Sequence, residues 1–306
     1  QVINPQIRSV CDPTFAGSTP SDARCVAGAA TRYFDAAFVR AGLGAGRLGQ
    51  INMIGTTNES RFDSWTTTLR GRTGRALVSL SYVLANSRAW GGQPTASYSG
   101  NGIAIAPEDQ FRDSEWGPTR LDERHRIVAS GVIDAPFGFQ FAPIVQFATA
   151  RPYTPTVGFD INGDGQTNIV DRLCAGVDPA AVFAVRGDVP AIRALNPNGC
   201  ELAPVNSVRK GFVVNADGSI EERSGNFFNA DLRITKGFSL GRATVKIYTD
   251  LFNLFNTENL SFALRPEQSA ANVAASFMQP VSLYGPGFGP PVGRPFTASF
   301  GARFEF

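Results

Sequence analysis

The twelve residues DINGDGQTNIVD, 160–171, set oxygen-bearing side chains at alternate positions. Asp160, Asn162 and Asp164 take the first, third and fifth places of a calcium loop, and Gly165 takes the sharp turn that follows. Gln166 would offer its backbone carbonyl, and Asn168 and Asp171 stand at the ninth and twelfth places. Hard oxygen donors in this spacing wrap a Ca²⁺ ion, so a structural Ca²⁺ is the expected cofactor. Two departures temper the expectation. Asp171 is shorter than the closing Glu of such loops, and no amphipathic helix flanks the run, since RPYTPTVGF precedes it and RLCAGVDPA follows. The sequence therefore predicts a lone surface loop, with affinity in the range of extracellular modules, about 10⁻⁴ to 10⁻³ M. The competing reading is an Asx/Gly turn cluster that binds nothing.

Little else has catalytic spacing. The chain holds one histidine, His125, inside DERHR at 122–126, and no G-x-S-x-G run supplies a nucleophile, so an enzyme is not expected. Its four cysteines fall as Cys11 with Cys25 and Cys174 with Cys200, neither pair in metal spacing. Two local disulfides are expected instead, and with them an oxidising compartment. Closing Cys11 to Cys25 would contribute roughly 3 kcal/mol on the chain-entropy picture. Four free thiols in a cytosolic chain are the alternative. A net charge of +2 with no basic run gives no argument for a nucleic-acid partner.

These residues must be positioned by strands. Of 306 residues 43% are hydrophobic and only 18% charged, with 32 Gly, 20 Pro and 24 Phe. That balance favours strands and loops over long helices. No apolar run is long enough for a transmembrane helix; AAVFAV at 180–185 is stopped by Arg186. Period-2 alternation marks FDSWTTTLRGR (62–72), ALVSLSYVLAN (76–86), RIVASGVID (126–134), FQFAPIVQFATA (139–150), FNADLRITKGF (228–238), RATVKIYTDLFN (242–253) and the final TASFGARFEF (297–306). In the last, Phe296, Ala298, Phe300, Ala302, Phe304 and Phe306 share one side. Lys246, Asp250, Asp231, Arg233, Arg303 and Glu305 are expected on wettable faces, pairing across strands. Trp65, Trp90, Tyr82, Tyr248 and Phe252 are candidates for interfacial girdles.

The connections sharpen this. TGR (73–75), APFG (135–138) and SLG (239–241) are tight and carry Gly, whereas 87–125, 151–227 and 254–295 are long. Strict alternation of short and long places every long connection at one end of the sheet, as in an outer-membrane barrel with short periplasmic turns and long extracellular loops. Lipid would then cover the face carrying Phe300, Phe304 and Phe306, which anchor the C-terminus. NLFNTEN (253–259) is expected to mark where a strand leaves the bilayer, its Asn residues serving a turn. Closed bacterial barrels use an even number of strands, about 8 or more. An eighth could hide in TRYFDAAFV (31–39), which Asp35 interrupts; otherwise further strands are expected upstream of residue 1.

Five segments, in order, carry a family resemblance: DERHRIVASGVIDAPFGFQFAPIVQFATARPYTP (122–155), DINGDGQTNIVDR (160–172), SGNFFNADLRITKGFSL (224–240), DLFNLFNTENLSF (250–262) and FGARFEF (300–306). They resemble the C-terminal barrel portion of TonB-dependent receptors of the Oar-like group, from about residue 46 onward. The resemblance implies an all-β, antiparallel transmembrane barrel of about 22 strands with a plugged lumen, of which about seven are present here. Residues 1–60 would be an extracellular loop region leading into the first strand, and 61–306 the C-terminal barrel portion, with long extracellular loops 87–125, 151–227 and 254–295. The plug is expected outside these residues.

The function so implied is energised passage of a bulky solute or a protein across the outer membrane of a Gram-negative-type bacterium. Its partners would be outer-membrane lipid, the upstream barrel and plug, periplasmic TonB acting through that plug, and the barrel-assembly machinery acting on the C-terminal strand. Surface adhesion without transport is one alternative. A soluble secreted calcium-binding β-sandwich is another.

Overall fold

A computed structural model describes residues 59–91, 113–161, 163, 171–262, 269–272, 274–282 and 295–306, together with 8–14, 18–21, 25, 32, 34, 35, 38, 41–43, 48 and 51. Its strands are β1 (Ser60–Arg72), β2 (Ala76–Trp90), β3 (Trp116–Pro118), β4 (His125–Ala135), β5 (Phe139–Ala148), β6 (Lys210–Val214), β7 (Ile220–Ser224), β8 (Phe227–Leu240), β9 (Ala243–Phe252), β10 (Leu260–Ser261), β11 (Val281–Ser282) and β12 (Thr297–Glu305). All seven strands expected from the alternation form. They make one sheet in the order β1-β2-β4-β5-β8-β9-β12, and its eighth member is the three-residue β3, which extends the far end of β2. The segment 31–39 lies largely outside the described residues.

Every pairing between consecutive strands of the wall is antiparallel, and hairpin geometry sets the register across the three tight turns β1–β2, β4–β5 and β8–β9. Pro143 lacks an N–H, and the β4–β5 ladder is interrupted opposite it, between the Ser130–Ile144 and Ile133–Phe141 pairs. Pairs directly across the strands share a face. One face collects Trp65 and Leu69, Leu80 and Tyr82, Ile127 and Ile133, Phe141 and Val145, Ile234 and Phe238, Val245 and Ile247, then Phe300 and Phe304. It is open to its surroundings, with Phe300 79% and Phe304 70% exposed. Among the described residues no second sheet lies over it. No helix of the described residues is long and apolar enough to cross a membrane.

The short-turn tips step along the sheet. Arg75 O in the β1–β2 turn accepts from Asp134 N on β4, short of the β4–β5 tip at Phe137 and Gly138. That tip abuts Gly237, itself short of the β8–β9 tip at Gly241. A constant stagger of this sense is the tilt that strands of a barrel wall adopt, and it brings the tips to one level.

The buried core is not in the sheet but at its long-connection end. Tyr153, Val157, Ile161, Leu173, Val182, Phe183, Ile192, Phe212, Phe262, Phe277 and Met278 pack together there, so the long connections fold into a module rather than trailing as bare loops. A first helix, α1 (Arg8–Cys11), lies outside it; α2 (Pro179–Ala184) and α3 (Val189–Leu195) belong to it. Asp178 and Asp188 cap α2 and α3, accepting from Ala180 N and Ala191 N, each ahead of an early Pro.

Candidate functional site

The face opposite the phenylalanines is wettable and ion-paired. Arg233 on β8 grips Asp250 on β9 with Nε–Oδ1 at 2.5 Å and Nη2–Oδ2 at 2.9 Å, a two-point fork, while its guanidinium lies 4.9 Å from the Tyr248 ring centroid. Ser299 on β12 donates to the same carboxylate at 3.4 Å. Nearer the short turns, Glu305 takes Lys246 at 2.9 Å and Arg303 at 3.1 Å. Gln140 on β5 donates to Asp134 on β4 at 2.8 Å. Arg233 with Asp250 and Lys246 with Glu305 thus pair across strands, as expected, whereas Arg303 pairs within β12. Asp231 instead accepts from Asn253 N at 2.9 Å.

Tyr248 and Phe252 pair with Gly301 and Thr297 and so sit on this polar face, which corrects their assignment to an outer girdle. A Cβ at Gly301 would lie 2.3 Å from the Tyr248 ring, so only Gly lets the ring lie across β12. Trp65 does stand on the apolar face, 62% exposed and edge-on to Tyr82 at 6.3 Å. The Tyr82 hydroxyl lies 2.9 Å from His125 Nδ1, which gives the only histidine a packing role. Trp90 stacks obliquely on Trp116 at the far end of β2.

Two ion pairs, one buried and one partly exposed, latch the module to the wall. Arg172, from the module, meets Glu115, beside β3, at 2.7 Å with both side chains almost wholly enclosed. Burial lowers the Arg172 pKa, and Glu115 opposes that shift. Arg209 Nη2 binds Asp122 Oδ2 at 2.5 Å and its Nη1 reaches the carbonyls of Asp122 and Ala150, while Asp122 Oδ1 accepts from Ser87 N on β2. Gly117 lets Val205 approach: a Cβ there would stand 2.3 Å from Val205 Cγ1. Asn206 donates to Pro118 O at 2.7 Å. Between these latches a cleft of about 640 Å³ opens, lined in part by Pro155, Arg172, Val177, Pro204, Arg209 and Lys210. Sequence reasoning missed Glu115, Asp122, Arg172 and Arg209 as a group, because ion pairs 57 and 87 residues apart leave no local spacing to read.

The disulfides Cys11–Cys25 and Cys174–Cys200 both form, with Cα–Cα separations of 5.4 and 5.8 Å. The second closes the strand-like Cys174–Leu202 bridge of the module, and buried Asn196 accepts from Cys174 N at 2.9 Å. Of the six calcium-loop residues, Asn162, Asp164, Gln166 and Asn168 lie outside the described residues. Asp160 and Asp171 frame the loop: Asp160 Oδ1 accepts from Gly163 N at 2.5 Å, and Asp171 Oδ2 from Ile161 N at 2.5 Å. Asn253 bridges Thr257 through both its amide atoms and has φ +48°, so the NLFNTEN stretch does end β9 in an Asn-built turn.

A single tilted sheet, greasy outside and ion-paired inside, with all long connections gathered at one end, is the wall of a membrane barrel. Residues 16–286 match the family described as an outer membrane beta barrel domain, and the chain belongs to that family. Its place is accordingly the outer membrane. Comparison with curated proteins finds no match.

Proposed function

We propose that this chain is the C-terminal part of the wall of a TonB-dependent, Oar-like outer-membrane receptor, through which a bulky ligand passes with energy from a periplasmic TonB partner. The observation that carries the reading is the polar face: Arg233–Asp250 and Lys246–Glu305 give a fixed, hydrated inner surface of the kind a plugged lumen requires. The ordered resemblance of five segments supports the receptor group. In this reading the open edges at β1 and β12 pair with further strands of a larger barrel, near 22 in number. The long connections face the cell exterior.

The same reading assigns a structural Ca²⁺ to Asp160, Asn162, Asp164, Gln166, Asn168 and Asp171. Asp160 and Asp171 fit this, since their carboxylates already accept from Gly163 N and Ile161 N at the head of the loop. The ion would lock the loop's turn at the cell surface. Calorimetry of the protein should show heat at millimolar Ca²⁺ that Asp160→Asn/Asp164→Asn abolishes; no heat would sink the assignment.

Upstream gene sequence tests the transport role. A plug and a TonB-contacting segment, with co-purification of the periplasmic TonB domain, are expected. Surface adhesion is favoured by one observation, the folded module with its open cleft outside the wall. Absence of a plug, with cell-surface binding unchanged in cells lacking TonB, would replace the transport reading with that one.

A further inference from the structure

The rim at the short turns carries two sets of cations: Lys246 and Arg303 on the inner face bind Glu305, and others on the turns and the outer wall do not. Around the long connections Arg126 and Arg151 bind Glu123, Arg209 binds Asp122 and Arg172 binds Glu115. At the short-turn rim Arg75 and Arg242 are exposed, and no carboxylate among the described residues pairs with either. The third cation is Lys236. It pairs in register with Phe139 and Ile247, so it stands on the apolar face, in the parity of Leu232, Ile234 and Phe238. A charge there is costly in hydrocarbon, and the side chain escapes by reaching for the rim. Its Nζ donates to Phe137 O and lies 4.6 Å and 5.4 Å from the Phe139 and Phe238 ring centroids.

The turn is shaped for this. Phe137 (φ 62°, ψ 24°) and Gly138 (φ 74°) are the central pair of an I′-type hairpin turn, closed by Phe139 N–H to Pro136 O. Left-handed Phe is a strained choice where Asn or Gly would be relaxed. The choice leaves the Phe137 ring 87% exposed beside a lysine head, with Leu240 and Phe304 also exposed on the wall nearby. Strand stagger brings the tips bearing Arg75, Phe137 and Arg242 to one level, so cation and aromatic ring alternate along a single line. An apolar band edged by aromatic rings and unpaired cations complements one surface, a leaflet of acyl chains under anionic phosphates.

We propose that Lys236, Arg75 and Arg242 form a collar that binds the phosphates of anionic phospholipids in the leaflet at the short turns, with Phe137 inserted at the headgroup level. The proposal rests on those turns facing the periplasm. The test is native mass spectrometry of the full membrane protein, delipidated and offered phosphatidylglycerol, phosphatidylcholine and lipid A in competition. Wild type is expected to retain phosphatidylglycerol over phosphatidylcholine by on the order of fivefold per cation, falling as salt rises. The variant Arg75→Gln/Lys236→Gln/Arg242→Gln should lose the preference while keeping its heat-resistant migration on gels; Arg75→Lys/Arg242→Lys should keep both. Equal retention by wild type and the triple variant overturns the collar. Selective retention of lipid A through the same cations overturns the orientation instead, because it puts the short turns at the outer leaflet.

Discussion

Residues at two kinds of position decide whether the wall and its module hold. Gly301 is one: a methyl group there meets the Tyr248 ring at 2.3 Å, so Gly301→Ala must expel the ring from its place beside Arg233. A loss of about 1–3 kcal/mol is expected for such overpacking, read by urea unfolding in lipid vesicles, and Tyr248→Ala in the same chain should recover part of it. Glu115 is the other. Removing it leaves Arg172 buried and charged, which costs about 3–5 kcal/mol, whereas Glu115→Leu/Arg172→Met should be far milder. Thermal unfolding of the module compares the two. Neither position was legible in the sequence, because a glycine under an aromatic ring and a carboxylate facing a distant arginine have no local signature. Lys236 interrupts the apolar parity of FNADLRITKGF, a departure the alternation alone did not mark out, and only the rim explains why it is tolerated there.

At the scale of elements the sequence was far more telling. Strict period-2 patterning specified all seven wall strands, because a one-residue slip would turn every charge of the inner face into lipid. The same logic makes a prediction: Phe300→Arg, on the outer face midway along β12, should destabilise the inserted wall by about 2–4 kcal/mol, while Ser299→Arg on the opposite face should cost little. The long connections were opaque by comparison. Their core joins residues 153 to 278 through contacts of no fixed period, and only Cys174 and Cys200 hinted at a folded unit. Replacing both cysteines by Ser should lower the module's stability by about 3–4 kcal/mol and leave the wall unaffected. Protease nicking confined to 151–227, with the sheet still heat-resistant, is the expected pattern.

The whole molecule is an open antiparallel wall carrying a folded cap at one end, with β1 and β12 each paired on one side only among the described residues. An open sheet with bare ladder groups at both edges does not persist in hydrocarbon, so closure by further pairing is a physical requirement rather than a refinement. Everything turns on which medium meets each face. Single cysteines at Ile234, Ile247 and Phe300, and at Thr235, Lys246 and Ser299, can be labelled with a fluorophore in the reconstituted protein, because the native cysteines are held in disulfides. Lipid-borne quenchers should dim the first three and an aqueous quencher the last three. Equal quenching of both sets, or lipid quenching of the Lys246 face, would contradict the wall described here.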